Sequence, residues 1–124
     1  MIIDALTKLE AVLGGAVAAN QPDVHVYYAD YNKAGEQTTP ASFRAALNST
    51  TDVTILAAPT TNPLSEVFRI AIYNKDTASV TVTVKTDDGT TERIIIKAVL
   101  LTLESLHWEK GQGWYAMDAN GNRK

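Results

Sequence analysis

The stretch "SVTVTVKTDDGTTERIIIK", Ser79 to Lys97, decides the fold. Val80, Val82 and Val84 alternate with Thr81, Thr83 and Lys85. Side chains on a strand point to opposite faces with a period of two, so this reads as a half-buried strand with valines inward and a threonine-rich outer face. Asp88-Gly89 follows, flanked by Asp87 and Thr90, and an Asp-Gly pair between strands signals a hairpin turn that needs positive φ. The run "TERIIIKAVLLTL", Thr91 to Leu103, then returns alongside. Polar alternation nearly vanishes from Ile94 to Leu103, with Lys97 the main interruption, which predicts a strand buried on both faces at an intersheet or intersubunit contact.

Working outward, "EVFRIAIYNKD" places Phe68, Ile70 and Ile72 on one face, and Asn74 to Thr77 form the turn into the Val80 strand. Downstream, "LHWEKGQGWYAMDANG" gives two short strands around Gly111 to Gly113 and a closing turn at Asn120-Gly121. Val67 to Met117 therefore reads as an antiparallel meander. In the first half, "DVHVYYADY" (Asp23 to Tyr31) and "DVTILAAP" (Asp52 to Pro59) are strands, the second ended by proline. Within the polar connection from Lys33 to Thr51, Thr39-Pro40 followed by Phe43, Ala46 and Leu47 allows a short helix near residues 40–48, with threonine as N-cap and proline at the first helical position. Ile2, Leu6, Leu9 and Leu13 follow helical spacing, whereas Leu9 to Leu13 alone fit a short strand, and Gly14-Gly15 ends either one. The sum is an all-β chain, an antiparallel β-sandwich or jelly-roll-like barrel of about seven or eight strands.

The 124 residues suit one domain, since single cores run to roughly 100–200 residues. The chain is 45% apolar and 20% charged, the balance of an ordinary globular protein. Eleven Lys and Arg stand against fourteen Asp and Glu, for a net charge of -3 with no basic cluster. Nucleic-acid binding needs cations that displace phosphate counterions, so it is disfavoured. No cysteine is present, so there is neither a disulfide framework nor a thiolate site. Asp4, Lys8 and Glu10 interrupt what a secretory signal needs as its apolar core, and no stretch reaches the roughly 18 uncharged apolar residues of a membrane span. Neither a leader nor a membrane anchor is expected.

Candidate chemistry is sparse. His25 and His107 both alternate with apolar neighbours, which predicts solvent-facing imidazoles without the companion ligands that a metal site requires. Glu104, Ser105 and His107 put acid, hydroxyl and imidazole within four residues. Ser105 lacks the glycine-flanked elbow of a hydrolytic nucleophile, so "ESL" reads as a turn. Asp118, Asn120 and Asn122 have the spacing of a calcium loop, but the glycine comes too early and no distal glutamate follows. No catalytic residue, metal or cofactor is expected. Trp108, Trp114 and Tyr115, with Tyr27, Tyr28 and Tyr31, offer sugar-stacking platforms if exposed together; the competing reading packs Trp108 and Trp114 across neighbouring strands.

The pattern "APTTNP", "IAIYNKDTASVTVTV", a hairpin, "ERIIIKAVL" and "GWYAMDANG" resembles a family of small virion-associated structural proteins of tailed bacteriophages. The blocks "KLEAVLGGAVAANQPDVHVYYAD" and "TTP...NSTTDVTILAAP" extend the resemblance over nearly the whole chain. It implies a β-sandwich component of the virion, made in the bacterial host cytoplasm and carrying no enzymatic activity. Within that class it implies a head decoration or cement protein that clamps the major capsid protein, working as a homo-oligomer with a trimer favoured. A neck, tail or fibre adaptor and a carbohydrate-binding module are the alternatives. The chain departs from the pattern at "LTLESLHW", where a glycine-containing turn is expected, and at "PASFRAALN", which is more helix-prone than a polar loop. Ile2, Ile3 and Leu6 would be exposed unless docked, which makes residues 1–15 the expected contact with a neighbouring subunit or capsid.

Overall fold

A computed structural model describes every residue from Met1 to Lys124. It contains ten strands and no helix: β1 (Ile2–Asp4), β2 (Lys8–Leu13), β3 (Asp23–Tyr31), β4 (Ala41–Ala46), β5 (Val53–Leu56), β6 (Leu64–Tyr73), β7 (Val80–Asp87), β8 (Glu92–Leu100), β9 (Ser105–Glu109) and β10 (Gly113–Met117). They form two antiparallel sheets. Sheet I runs β10-β9-β6-β3-β4, with β1 also on β6, and sheet II runs β5-β2-β7-β8. The sheets face each other across one core, in which Val24, Val26, Ile70 and Ile72 from sheet I meet Leu9, Ala11, Val82 and Val84 from sheet II. The architecture is thus the expected all-β sandwich.

Local readings are settled by strand pairing. The segment that allowed a short helix near residues 40–48 is instead β4, because Phe43, Ala45 and Leu47 run with a period of two and pack inward while Ala41 to Ala46 pair with β3. Pairing with a neighbouring strand overrides local helix propensity. Of the two readings open for residues 2–13, the strand at Leu9 to Leu13 holds: β2 is central in sheet II, and a further short strand, β1, lies along the first half of β6. Together with β4, β1 raises the strand count above the seven or eight expected.

The meander is also replaced. β7–β8 and β9–β10 are hairpins, but the chain crosses between sheets after β6 and again after β8. Asn74 and Asp76, both fully buried, fix the first crossing. The Asp76 carboxylate accepts backbone N–H groups from Ala18, Ala19 and Asn20 at 2.7–2.9 Å, and these bonds hold its acid constant down to about 2.

The β7–β8 hairpin sits where expected, with a longer turn. Gly89 alone takes positive φ, at 84°. Asp87 Oδ1 accepts the Gly89 N–H, and Asp88 Oδ1 accepts those of Thr90 and Thr91, so two carboxylates cap the loop's donors. Past it, β8 is an edge strand and not the doubly buried one expected. Only Leu100 is fully buried, while Ile94 is 67% exposed. The register slips between Val84 and Lys85, leaving Ile95 as an extra residue on β8, and this bulge hides the alternation in an all-aliphatic sequence.

Candidate functional site

The outer face of sheet I gathers side chains from five strands into rows. Across β4, β3, β6, β9 and β10, one row reads Arg44, His25, Ala71, His107 and Tyr115. The row on one side reads Ser42, Tyr27, Arg69 and Glu109, and on the other Asp23, Tyr73 and Ser105. These residues face outward because their alternating neighbours Val24, Val26, Ile70 and Ile72 fill the core. Ala71 is the smallest side chain in its row, and the surface sinks around it. A depression of about 450 Å³ lies between Asp23, His25, Arg44, Ala71 and Tyr73. A second, of about 370 Å³, lies between His25, Tyr27, Arg69 and Ala71. The two share His25 and Ala71 and so form one trough.

The trough has exposed Tyr27 and Tyr73 rings on its flanks and the Arg44 and Arg69 side chains along it. Phe68, at a register slip in the β3–β6 pairing, backs Tyr27 with ring centroids 5.9 Å apart. Arg69 approaches Glu109 at 3.5 Å, and Asp23 holds Lys75 at 2.8 Å. Aromatic surface beside guanidinium and imidazole groups suits a planar or oxygen-rich ligand that stacks and accepts hydrogen bonds.

His25 is solvent-facing as expected, but His107 is buried. The His107 ring stacks on Tyr115 at 5.2 Å with an interplanar angle of 12°. Burial, with the charge of Arg69 adding to it, holds the His107 imidazole below its ordinary acid constant. Ser105 Oγ lies 2.8 Å from His107 Nε2, while Nδ1 has no partner. Glu104 is not the missing third member. Its Oε2 accepts the Leu101 N–H and the Lys124 ammonium, which hold its carboxyl below the ordinary value, the lysine contributing most. The structure thus joins two of the three sequence candidates and sends the acid elsewhere. Ser105 opens β9, and the turn lies before it.

The three aromatic candidates are divided between faces. Trp108 and Trp114 stand directly opposite each other on β9 and β10, half-buried against the core, as the packing reading holds. Tyr115 points outward, but its ring is engaged by His107 and by the Arg123 guanidinium 3.9 Å from its centroid. Asp118 Oδ1 accepts the N–H groups of Asn120 and Asn122, so this carboxylate closes a turn.

The N-terminal candidates divide too. Ile3 is 2% exposed within the core, whereas Ile2 and the 78%-exposed Leu6 remain outside. The expectation that Ile3 needs a docking partner is corrected: β1 buries it on the chain's own β6. The sequence reading missed Ala71, Tyr73, Arg44 and Arg69. The signal available was the alternation of Arg69, Ala71 and Tyr73 with Ile70 and Ile72. Comparison of the chain with protein-family models, curated proteins and solved structures finds no match.

Proposed function

We propose that the chain is a non-enzymatic structural protein of a tailed-bacteriophage virion, acting as a capsid decoration or cement protein that clamps capsid subunits. Beside the sequence resemblance, the observation that supports this reading is the bare edge of sheet II. β8 is nine residues long, and Ile94, Val99, Leu101 and Leu103 along and beyond it are exposed. Soluble monomers blunt such an edge, because its unpaired N–H and C=O groups template pairing with another chain. Of the other edges, β4 is also open along its six residues, whereas two are blunted. β10 is followed by residues that fold back on it, with Arg123 bridging to Met117 and the Lys124 N–H donating to the Ala116 carbonyl. β5 has only four residues. β8 keeps Lys97 as the one cation in its aliphatic middle, and a partner strand from a second copy or a capsid subunit would complete the sheet.

The test is light scattering on the purified chain against its 13.4 kDa subunit mass, followed by binding to purified particles. An oligomer that decorates particles, and loses both properties on Val99→Lys, is the expected result. A monomer at high concentration that leaves every particle bare overturns the reading. A neck, tail or fibre adaptor would use the same edge and differ only in labelling one vertex or the tail.

A second reading, a carbohydrate-binding module, is favoured by the trough and moves away from the tryptophans. Tyr27 and Tyr73 are the exposed platforms, with Arg44 and Arg69 as donors. Retention on polysaccharide that Tyr73→Ala abolishes would support it over the virion role.

A further inference from the structure

A separate charged constellation occupies the outer face of sheet II. In register across β2, β7 and β8, Lys8 faces Asp87, Glu10 faces Lys85, and Asp87 faces Glu92. The Lys8 ammonium bridges Glu10 Oε1 at 2.6 Å and Asp87 Oδ2 at 3.1 Å. The Lys85 ammonium bridges Asp52 Oδ1 and Glu92 Oε2, each at 2.9 Å. Four carboxylates therefore meet two ammonium groups, and two negative charges have no counterpart. The neighbouring Arg93 and Asp88 neutralise each other at 3.3 Å and contribute nothing to the balance. One oxygen each from Glu10, Asp87 and Glu92 lie within 4.8 Å of one another. That spacing brings the three oxygens close enough to share one Ca²⁺, whose oxygen ligands lie at about 2.3–2.6 Å, after at most a small side-chain adjustment.

The burial of Glu10 is the second observation. The residue is 4% exposed. Its Oε1 holds Lys8, but Oε2 has neither solvent nor any hydrogen-bond partner. A buried carboxylate oxygen without a partner is among the costliest groups a fold can carry. Glu10 belongs to the three-carboxylate cluster, so a cation there would meet an under-coordinated buried carboxylate and cancel the residual charge together.

We infer that Glu10, Asp87 and Glu92 form a binding site for a hard divalent cation, Ca²⁺ foremost, with Asp52 flanking it. The donors are all oxygen, with no imidazole or thiolate, which selects Ca²⁺ or Mg²⁺ over zinc or copper. Half-exposed Glu92 opens the site to solvent, so water completes the six to eight ligands that Ca²⁺ takes and the near-rigid octahedron of Mg²⁺ fits less well. The two lysines compete for the same oxygens, which sets the affinity in the range of weak extracellular modules, about 10⁻⁴–10⁻³ M. The site is independent of the virion role.

The test is calorimetric titration of the whole chain, stripped with chelator, with calcium chloride and in parallel with magnesium chloride. One Ca²⁺ site tighter than that for Mg²⁺ is expected. Lys8→Met, which removes a competing ammonium, should tighten it by about tenfold, since ligand charge tunes such sites. Glu92→Gln, at the exposed end where folding is not at stake, should weaken it by about tenfold, and Glu10→Gln should abolish it. Mn²⁺ added to the labelled protein should broaden the amide resonances of Glu10, Asp87 and Glu92 first. Absence of heat and of broadening up to about 10 mM cation would overturn the inference. So would broadening centred elsewhere, or binding that Glu92→Gln leaves unchanged.

Discussion

Asn74 is the residue whose replacement tests the architecture most directly. Its Nδ2 donates to the carbonyls of Ala78, Leu100 and Leu101 at 3.0, 3.1 and 3.1 Å, and its Oδ1 accepts the Asp76 N–H at 3.0 Å. Its backbone N–H donates to the Glu104 carbonyl, and its carbonyl accepts the Leu103 N–H. One fully buried side chain thus ties the β6–β7 crossing to the β8–β9 crossing. Asn74→Ala keeps the backbone bonds and removes four side-chain ones. Orphaning the buried Asp76 N–H costs about 1–3 kcal/mol. Carbonyls tolerate under-satisfaction better than N–H groups do, so the three of them and the small void add about 1–2 kcal/mol. The sum, about 2–5 kcal/mol, is a large fraction of the 5–15 kcal/mol by which single domains are stable.

Urea unfolding followed by tryptophan fluorescence measures it. With a slope of about 2 kcal/mol/M, the midpoint should fall by roughly 1–2.5 M. Asn74→Asp separates the donor role from shape. It keeps size and the acceptor for Asp76 N–H but turns an oxygen toward three carbonyls, so it should destabilise at least as much as Asn74→Ala. If Asn74→Asp lies nearer to the wild type than Asn74→Ala does, or if alanine costs under about 1 kcal/mol, the amide is not the tie described.

Leu103 adopts φ 65°, a left-handed conformation that costs a side-chain-bearing residue about 1–2 kcal/mol. Glycine relieves that strain and loses about 0.5–1 kcal/mol of unfolded-chain entropy, so Leu103→Gly should raise the melting temperature by a few degrees, and a fall would refute the strain argument. Asp76 is depressed from 3.8 to about 2 by its backbone donors. A depressed carboxyl contributes stability above its unfolded value and loses it as pH falls through the folded one. Thermal melts should therefore show the gap between wild type and Asp76→Asn closing between pH 4 and about 2; a constant gap would mean the charge is irrelevant. Trp114→Ala should cost about 2 kcal/mol, roughly half the value for a fully buried tryptophan, and leave any polysaccharide retention intact, because Trp114 packs inward.

The legible part of this fold is what a strand reports about itself. The valines of β7, the alternation in β3 and the Asp-Gly turn each declare a face or an end within a few residues, and the structure keeps all three. The reading failed where a partner distant in sequence decides. β4 is a strand because β3 lies beside it, and β8 is an edge because no strand pairs with its outer side, a fact that aliphatic composition does not carry. "LTLESLHW" shows the intermediate case. The resemblance calls for a glycine there, and the backbone does take the conformation glycine favours, at Leu103, held by the Asn74 carbonyl. The turn is therefore set by the crossing it closes and not by its own residues. The trough follows the same logic at larger scale. His25, Arg44, Ala71 and His107 come from four strands spread over 82 positions from residue 25 to 107, and meet only through register. A one-residue slip of β6 would turn Ala71 into the core and Ile70 and Ile72 out to solvent, so the burial of those two isoleucines is what holds the surface site in place.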